Sequence, residues 1–545
     1  KEFYENDWQK FIEYNIHDVR LVDKLDNKMK LLDLAFTMAY DAKVNYEDVF
    51  SQVRMWDNYI YVELLKRKIA IPPKKQNDKS EKYAGAYVKE PKPGIYDWVV
   101  SFDLNSLYPH LIMQYNISPE TLLDERHPSA TVDGFLKQEV TVDGEYAVCA
   151  NGAQYRKDIH GFLPEMMQKM YDSRVIFKKK MIAAKKEYEK NPSVELTNEI
   201  SRCNNIQMAK KISLNSAYGA IGNEHFRYYR LANAEAITLS GQLSIRWIEN
   251  RMNEYLNNLL QTEGKDYVIA SDTDSIYLNL GPLVSKFFAN KSGDKAAIVT
   301  ILDKICQEKL EPFIESSYEQ LASYVSAYDQ KMQMKRENIA DKGIWTAKKR
   351  YILNVWDSEG VRYKQPKMKI MGLETARSST PAYFRDKLYE AFKLIISKTN
   401  DDLINFIDEV KRDTRNQEYE YVAFPRGCNG VDKYYHPKEI YQKGTPIHVR
   451  GALLYNHLVR KNKVQNKYQM IQEGEKIKFI YLKTPNPAME NVISFFSTIP
   501  PEFNLDKYVD YQTQFEKSFL DPLKNVLQCI GWTHEKVITI GSFFE

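Results

Sequence analysis

The chain has 545 residues, a formal net charge of +4, 43% apolar residues and 28% charged residues, which indicates a globular protein of three or four domains. No apolar run approaches the ~18 residues of a membrane span, so we expect a soluble chain without a membrane partner. The five cysteines and nine histidines have no metal-ligand spacing, which excludes a thiolate zinc site and leaves oxygen ligands for any cation.

The first part of the chain, up to about residue 72, has apolar residues at helical spacing. It ends in the Pro- and Lys-rich stretch "KRKIAIPPKKQNDKSEKYAGAY", which indicates a linker. From about 83 to 165 the pattern predicts strands, among them "YDWVVSFDL", a buried strand that finishes on an acid.

A Lys-rich helical pattern extends from about 164 to 222 and is broken by "EKNPSVE". The break predicts two antiparallel helices joined by a short loop. From about 223 to 380 helices and strands are mixed, and the remainder is mixed and basic.

Two carboxylates stand two positions apart in "VIASDTDSIYLNL". In an extended chain Asp272 and Asp274 would point to the same face. Their repulsion at about 4 Å is ~4 kcal/mol at an effective dielectric near 20, and a divalent cation would remove it. The alternative is a solvated hairpin turn, because Asp and Thr are ordinary turn residues.

A third carboxylate, Asp103, ends the strand in "SFDLNSLYPHLI". Taken alone, Asp103 could instead cap the helix that follows it. Together with Asp272 and Asp274 it predicts an oxygen-rich site for two Mg²⁺ ions, the arrangement used in phosphoryl transfer.

Cationic side chains recur on both predicted hairpin helices. Arg174 and Lys178 are four residues apart, and Lys211, Asn215 and Tyr218 share a second helical face. Two such faces could bind a triphosphate, although solvated lysine faces are the alternative.

These motifs resemble a known family. The stretches "DLNSLYP", "KKISLNSAYG" and "SDTDS" stand in the order and form of the three polymerase motifs of family B DNA polymerases. "YAGAYV" resembles their template-contact motif and "KKRY" their primer-contact motif. Finer matches such as "GNEHFRYY" and "KIMGLET" resemble the replicative polymerases of T-even-type bacteriophages, and the resemblance covers nearly the whole chain.

The resemblance implies roles for individual residues. Asp103 and Asp274 would be the principal metal ligands, with Asp272 in the same site and Glu337 as a further carboxylate. Arg174, Lys178, Lys211, Asn215 and Tyr218 would bind the incoming deoxynucleotide, whose sugar and base would lie against Leu104, Leu107 and Tyr108. Tyr108 would exclude a 2′-hydroxyl. Tyr83 and Gly85 would contact the template, and Lys348, Lys349, Arg350 and Tyr351 the primer.

The two ends of the chain carry further expectations. "YNIHD" resembles the last exonuclease motif of the family, with Tyr14 and Asp18 in its two fixed positions, and we expect the other exonuclease carboxylates to be absent or on a separate chain. In the terminal "VITIGSFFE", Ile540, Phe543 and Phe544 resemble a sliding-clamp-binding peptide. The alternative is a tail that folds back on its own domain.

The implied fold is α+β, a right-hand polymerase whose palm is an antiparallel sheet backed by helices. The expected domains are the end of an exonuclease domain (1–30), part of an N-terminal domain (31–74), the palm in two parts (75–163 and 223–380), helical-hairpin fingers (164–222) and a mixed thumb with the clamp-binding tail (381–545).

The implied function is template-directed extension of a primer with dNTPs in phage DNA replication, in the cytoplasm of the infected bacterial host. Two Mg²⁺ ions, replaceable by Mn²⁺, would be the cofactors. We do not expect 3′–5′ exonuclease activity from this chain alone. The rival hypotheses are an inactive polymerase-like replisome module and a palm-type RNA-synthesising enzyme.

Overall fold

The computed structural model describes residues 4, 6–76, 82–288 and 294–536. They form two compact units. The N-terminal unit consists of Ile12–Glu90 and Val100–Ile339, and the C-terminal unit of Pro91–Val99 and the described chain from Ala340 onward, together with the described residues before Ile12. The predicted clamp-binding residues Ile540, Phe543 and Phe544 lie outside the described residues.

Helices make up most of the N-terminal unit. In chain order the helices that precede Met334 are Trp8–Met29, Leu31–Ala42, Gln52–Lys66, Leu107–Gln114, Val132–Leu136, Phe162–Lys190, Val194–Ile221, Leu231–Leu260, Gly281–Phe287, Lys295–Ile305 and Glu311–Tyr324, with a 3₁₀ helix at Tyr46–Phe50 and a π-helical turn at Cys306–Leu310.

The C-terminal unit has shorter helices, which alternate with strands. They are Ala382–Ser397, Asn400–Thr414, Tyr419–Val422, Val431–Tyr434, Ile447–Lys461, Tyr511–Phe515 and Asp521–Ile530, with 3₁₀ helices at Glu374–Ala376, Pro501–Phe503 and Asp506–Tyr508 and a π-helical turn at Glu516–Leu520.

The described strands form four sheets. The strands are β1 (Gly94–Leu104), β2 (Ala147–Val148), β3 (Gln154–Tyr155), β4 (Val268–Asp272), β5 (Ser275–Asn279), β6 (Met334–Ala347), β7 (Arg350–Ser358), β8 (Val361–Met371), β9 (Phe424–Cys428), β10 (Tyr435–His436), β11 (Ile440–Tyr441), β12 (Glu475–Tyr481) and β13 (Val492–Phe495).

The main sheet has six strands in the order β4-β5-β1-β6-β7-β8. The hairpins β4–β5 and β7–β8 are antiparallel, and β1 and β6 are the strands whose sequences pass from one unit to the other. The remaining sheets are β13-β12-β9, β10-β11 and β2-β3. The expected combination of an antiparallel sheet with helices is therefore confirmed at this level.

The two Lys-rich helices form where the sequence predicts them, and they pack against each other. The first ends at Lys190, two residues before Pro192, because the residue before a proline disfavours helical dihedrals. Ser193 begins the second, with its hydroxyl accepting a hydrogen bond from the Leu196 N–H at 3.2 Å. The pair is called the hairpin helices below.

The segment from 83 to 165 differs from its prediction. It contains one long strand, β1, followed by the helix Leu107–Gln114 that the sequence allows after Asp103, but it also contains the helix Val132–Leu136, and the later strands β2 and β3 have only two residues each. Short apolar runs do not distinguish a buried helix from a buried strand, so the pattern overestimates the strand content of this segment.

The helix Gln52–Lys66 anchors the N-terminal region on the hairpin helices. The buried Trp56 indole donates hydrogen bonds to the Ser213 carbonyl at 3.1 Å and the Ser216 hydroxyl at 3.2 Å. Tyr59 donates to Asp41 at 2.8 Å, and burial, reinforced by the Asp41 charge, raises the pKa of this phenol. These contacts satisfy polar groups that would otherwise be buried without partners.

In the C-terminal unit the helix Ile447–Lys461 packs on β13. A Cβ at Gly451 would lie 2.8 Å from the Ser494 backbone nitrogen, so the absence of a side chain permits this close approach. Val449 and Ala452 are completely buried in the same core as Ile493 and Phe495. This core has no counterpart among the motifs that the sequence analysis identified.

Adjacent leucines on the helix Gln52–Lys66 provide a matched test of the N-terminal core. Leu64 is 4% exposed and Leu65 is 60% exposed. We expect Leu64→Ala to lower the free energy of unfolding by about 2–5 kcal/mol, because it removes buried methyl groups and leaves a cavity. Leu65→Ala, the control, should change it by less than ~0.5 kcal/mol. Denaturant unfolding of the two variants gives the comparison, and equal losses would contradict this packing.

Candidate active site

The predicted acidic residues lie at neighbouring strand ends. Asp103 is the penultimate residue of β1, Asp272 ends β4, and Asp274 precedes β5. The Leu104 N–H, which follows Asp103, donates a hydrogen bond to the Asp274 carbonyl at 2.8 Å. The backbone thus joins the end of β1 directly to the loop between β4 and β5, and the three acidic residues are all partly exposed.

The chain at "DTD" is a tight turn and not an extended strand, so the same-face argument for Asp272 and Asp274 is wrong. Thr273 has a φ of +62°, and the chain reverses there so that Asp272 pairs with Ser275. The Asp274 N–H donates to the Asp272 carbonyl at 2.6 Å. Asp and Thr favour such turns, so the hairpin alternative describes the backbone.

Glu337 belongs to β6 and contacts β1 near the acidic residues. Its carboxylate accepts a hydrogen bond from the Ser101 hydroxyl at 3.2 Å, and Ser101 precedes Asp103 by two positions. Because side chains two apart on a strand share a face, Glu337 is held on the face of β1 that carries Asp103. The Asn338 N–H donates to the same hydroxyl at 3.1 Å.

The donor chemistry at these strand ends is that of hard cations, since it consists of carboxylates and backbone carbonyls. Within the described ranges, no group of three or more His, Cys, Asp or Glu side chains is arranged to hold a metal ion.

Tyr108 lies against Tyr218 of the hairpin helices, with ring centroids 4.6 Å apart. Burial raises the pKa of Tyr108, and the negative charge of Asp274 adds to the effect, so the phenol is protonated at neutral pH. Leu104 and Leu107 are 1% and 4% exposed. Of the three residues predicted to line the nucleotide pocket, Tyr108 alone is partly exposed.

The start of the helix Leu107–Gln114 also fixes Ser106 and His110, which lie on either side of Tyr108 in the sequence. Ser106, in a left-handed conformation with φ of +47°, precedes the helix Leu107–Gln114. His110 is buried on that helix, with Nδ1 3.0 Å from the Ser106 carbonyl and its ring 4.6 Å from that of Tyr171. Burial lowers the pKa of His110, so its imidazole is neutral at neutral pH.

The predicted cationic residues of the hairpin helices differ in exposure. Arg174 is half-buried and its Nη1 donates to the Ser106 hydroxyl at 3.5 Å, whereas its buried Nε has no hydrogen-bond partner. Lys178, Lys211 and Asn215 are exposed. An unsatisfied buried guanidinium nitrogen costs ~1–3 kcal/mol, which an anion at this position would recover.

Tyr83 and Gly85 belong to an irregular segment beside the same tyrosines. The Tyr83 hydroxyl is 3.0 Å from that of Tyr218. A Cβ at Gly222 would lie 2.7 Å from the Tyr83 hydroxyl, so that glycine provides the space for this contact. No atom lies within 4 Å of a Cβ built at Gly85, which leaves open space on that side.

The predicted primer-contact residues form the turn between β6 and β7 in the C-terminal unit. Lys348 and Lys349 are exposed, and Arg350 forms an ion pair with Glu374 at 2.8 Å. Tyr351 is only 7% exposed and stacks on Trp345 at 5.3 Å, so its ring is part of the core.

Gly372 supports this turn, and the sequence analysis did not assign it a role. A Cβ there would lie 2.1 Å from the Lys349 carbonyl oxygen, and its φ is +67°. This glycine lies in the stretch "KIMGLET", where a glycine between apolar residues is a signal for a turn or a close backbone approach.

Tyr14 and Asp18, the predicted exonuclease remnant, lie on the helix Trp8–Met29, which has no buried residue. Tyr14 is 56% exposed.

None of the described helices is both long and apolar enough to cross a membrane.

Gly372→Ala should disturb the basic turn, because both the contact with Lys349 and the positive φ disfavour any side chain. We expect a loss of about 1–3 kcal/mol in unfolding free energy. Gly360→Ala is the control, because it also has a positive φ, of +83°, but meets no atom within 4 Å. Denaturant unfolding should show a larger loss for Gly372→Ala, and equal losses would contradict the role of the close approach.

Comparison with known proteins agrees with these features. The model of DNA polymerase family B matches residues 57–311, which include Asp103, Asp272 and Asp274. The DNA-directed DNA polymerases of Escherichia phage RB69 and Enterobacteria phage T4 are 33% and 32% identical over 99% of this chain. A DNA polymerase of Pyrococcus glycovorans is 25% identical over 83% of the chain and 48% of its own length.

The chain spans 65% of the length of each of the two phage polymerases. The matches cover the strand ends that carry the acidic residues, the hairpin helices and, for the phage relatives, nearly all of the remaining sequence. The chain is thus similar to DNA polymerase family B over residues 57–311 and, over nearly its whole length, to the DNA-directed DNA polymerases of these two phages.

Proposed function

We propose that this chain catalyses template-directed DNA synthesis, adding deoxynucleoside monophosphates to a primer 3′-hydroxyl with release of pyrophosphate. The observation that carries the proposal is the hydrogen bond between the Leu104 N–H and the Asp274 carbonyl, which brings the two acid-bearing strand ends together. The names of the phage relatives support the same reaction.

The cofactors of this proposal are two Mg²⁺ ions, for which Mn²⁺ could substitute. Asp103 and Asp274 would hold them, with Asp272 and Glu337 as further carboxylates, since carboxylate oxygens are the preferred ligands of these hard cations. When bound, the cations supply positive charge against the phosphate oxygens. The protein contributes by holding the acidic residues on a rigid sheet, which limits reorganisation during the reaction.

The triphosphate would be bound by Arg174, Lys178, Lys211 and Asn215. Arg174 is the best supported of these, because its buried Nε lacks a partner and its Nη1 is already oriented by Ser106. A guanidinium suits a phosphate group because its donors form a planar fork. Lys178 and Lys211 are exposed and would add charge at longer range.

Tyr108 would select the sugar. Its ring is held against Tyr218, which limits its movement toward solvent. A ribonucleotide differs from a deoxynucleotide by one hydroxyl, so a fixed ring at the 2′ position would discriminate by steric exclusion. Tyr218 would contact the base, and Leu104 and Leu107 would support the pocket from within the core.

Contacts with DNA are the remaining part of the binding proposal. Tyr83 and Gly85 would contact the template, and Lys348, Lys349 and Arg350 the primer backbone, where cationic side chains bind phosphates without reading sequence. Tyr351 would stabilise the turn through its stack on Trp345.

The proposed domain arrangement is a right hand. The palm would comprise 75–163 and 223–380, the fingers 164–222 and the thumb 381–545, with 1–30 and 31–74 belonging to exonuclease and N-terminal domains. A sliding clamp bound by the C-terminal tail is a proposed partner, and the host cytoplasm is the proposed location.

Neutral replacements of the acidic residues test the proposed chemistry. We expect Asp103→Asn and Asp274→Asn to lower the rate of nucleotide addition by about a thousandfold or more, a loss of ~4 kcal/mol of transition-state stabilisation. Primer–template affinity should change by less than about threefold, because that affinity comes from phosphate contacts elsewhere. Single-turnover primer extension and a DNA-binding titration measure the two quantities.

Asp97→Asn is the matched control, because Asp97 is an exposed residue of the same strand, β1. It should extend primers at the unmodified rate. Near-normal extension by Asp274→Asn would refute the assignment. A chain that binds primer–template without extending it would favour the inactive-module hypothesis.

Replacing Tyr108 tests the proposed sugar selection. Tyr108→Ala should lower the preference for dNTP over rNTP by about tenfold or more, because it removes the ring that would contact a 2′-hydroxyl. Tyr108→Phe retains the ring and should keep the preference within about threefold. The ratio of kcat/KM for dATP and ATP in primer extension gives the result, and an unchanged ratio in Tyr108→Ala would exclude steric selection by this residue.

A further inference from the structure

The helix Leu231–Leu260 is called the long helix below. One of its faces lies along an extended segment, and every second residue of that segment contacts it. Gln242, Arg246 and Glu249 lie at i, i+4 and i+7 and therefore share that face. Their partners are Gly85, Tyr87 and Lys89, which alternate along the chain after the predicted template-contact residue Tyr83.

The three contacts differ in kind. The Gln242 side-chain amide donates to the Gly85 carbonyl at 2.5 Å. The Arg246 guanidinium lies 5.5 Å from the centroid of the Tyr87 ring. The Lys89 ammonium forms an ion pair with Glu249 at 2.6 Å. Each alternate residue of the segment is thus held by a successive residue of the helical face.

The same segment pairs with the acidic turn. The Lys89 N–H donates to the Ser271 carbonyl at 3.0 Å, and the Thr273 N–H donates to the Tyr87 carbonyl at 3.0 Å. Between them Val88 forms an antiparallel bridge with Asp272. The segment therefore pairs through its backbone, over a few residues, with the turn that carries the acidic residues.

Glu249 contacts the segment and β4 together. One carboxylate oxygen binds Lys89, and the other accepts a hydrogen bond from the Ser271 hydroxyl at 3.0 Å. Glu249 is 8% exposed, and the side chain of Lys89 is 14% exposed. Lys89 has a second partner in Asp266 at 2.7 Å. At this burial the attraction is weakly screened, and loss of one partner leaves a charge in the interior.

We propose that Lys89 and Glu249 are positioning residues for the turn that carries Asp272 and Asp274. Together they fix the template-contact segment and the acidic turn to the long helix, so that the acidic residues hold their position when DNA occupies the adjoining segment. Neither residue contacts the reacting groups. The inference rests on the proposed polymerase function and adds to it the residues that orient its acidic turn.

The test uses variants that remove one charge and keep the shape of the side chain. Glu249→Gln retains an oxygen for Ser271, and Lys89→Met retains the apolar stem. Each should lower the single-turnover rate at saturating dNTP by about tenfold, because small displacements of catalytic groups are costly. The double variant should be no slower than either single one, since the pair acts as a unit. Lys89→Arg, which retains the charge, should restore at least about half of the rate.

Three further quantities and a control variant distinguish a positioning role from a binding role and from general damage to the protein. The primer–template dissociation constant and the dNTP concentration for half-maximal rate should stay within about twofold, whereas the Mg²⁺ concentration for half-maximal rate should rise. Glu235→Gln is the control, because Glu235 lies on the same helix and binds Arg126 and Asn151, away from the turn. It should leave all of these values unchanged.

Hydrogen exchange provides a readout without DNA or nucleotide. In Glu249→Gln and Lys89→Met, peptides covering 85–90 and 268–280 should exchange faster, because the Lys89 and Thr273 amides bond across the contact. Peptides from 147–155 should not change. An unchanged rate with unchanged exchange would overturn the inference, as would a rate loss matched by weaker DNA binding. A wild-type chain that adds no nucleotide would overturn the proposed function, and exchange would still decide the positioning.

Discussion

The hydrogen bond between the Leu104 N–H and the Asp274 carbonyl joins two segments that are distant in sequence and brings their acidic residues to one end of a sheet. The backbone of the sheet holds this junction in place, independently of the acidic side chains that it carries. A sheet does this well, since each strand is fixed by its neighbours along its length. The remaining features of the site are built around this junction.

Non-glycine residues with left-handed backbones stand beside the predicted acidic residues and in the basic turn. Ser106 follows Asp103, Thr273 separates Asp272 from Asp274, and Lys349 lies in the basic turn. Such conformations cost roughly 1–2 kcal/mol each and persist where the surrounding contacts determine them. Thr273 is held by its N–H bond to the Tyr87 carbonyl, and Lys349 by the close approach of Gly372. Strained turns thus occur where side chains must be directed out of a packed framework.

Several residues placed in the site by resemblance contribute from within the core. Leu104, Leu107 and Tyr351 are less than a tenth exposed, so their side chains support neighbours that are exposed. Tyr108 shows the opposite case, in which an aromatic ring is partly exposed but fixed by a second ring, that of Tyr218. A single motif therefore combines partly exposed residues with buried residues that hold their neighbours in place. The sequence does not separate these roles, because both require apolar side chains at fixed spacing.

The sequence by itself determined the strand that carries Asp103, the pair of hairpin helices with the break before Ser193, and the similarity to DNA polymerase family B, because local patterns and ordered motifs carry that information. It did not determine the chain reversal at Thr273, since Asp-Thr-Asp suits an extended strand and a turn equally. It also did not reveal the roles of Glu249 and Gly372, which depend on contacts with Ser271, Lys89 and Lys349, residues distant in the chain. Tertiary structure decided these points, because a buried ion pair or a backbone approach exists only after distant segments have packed together.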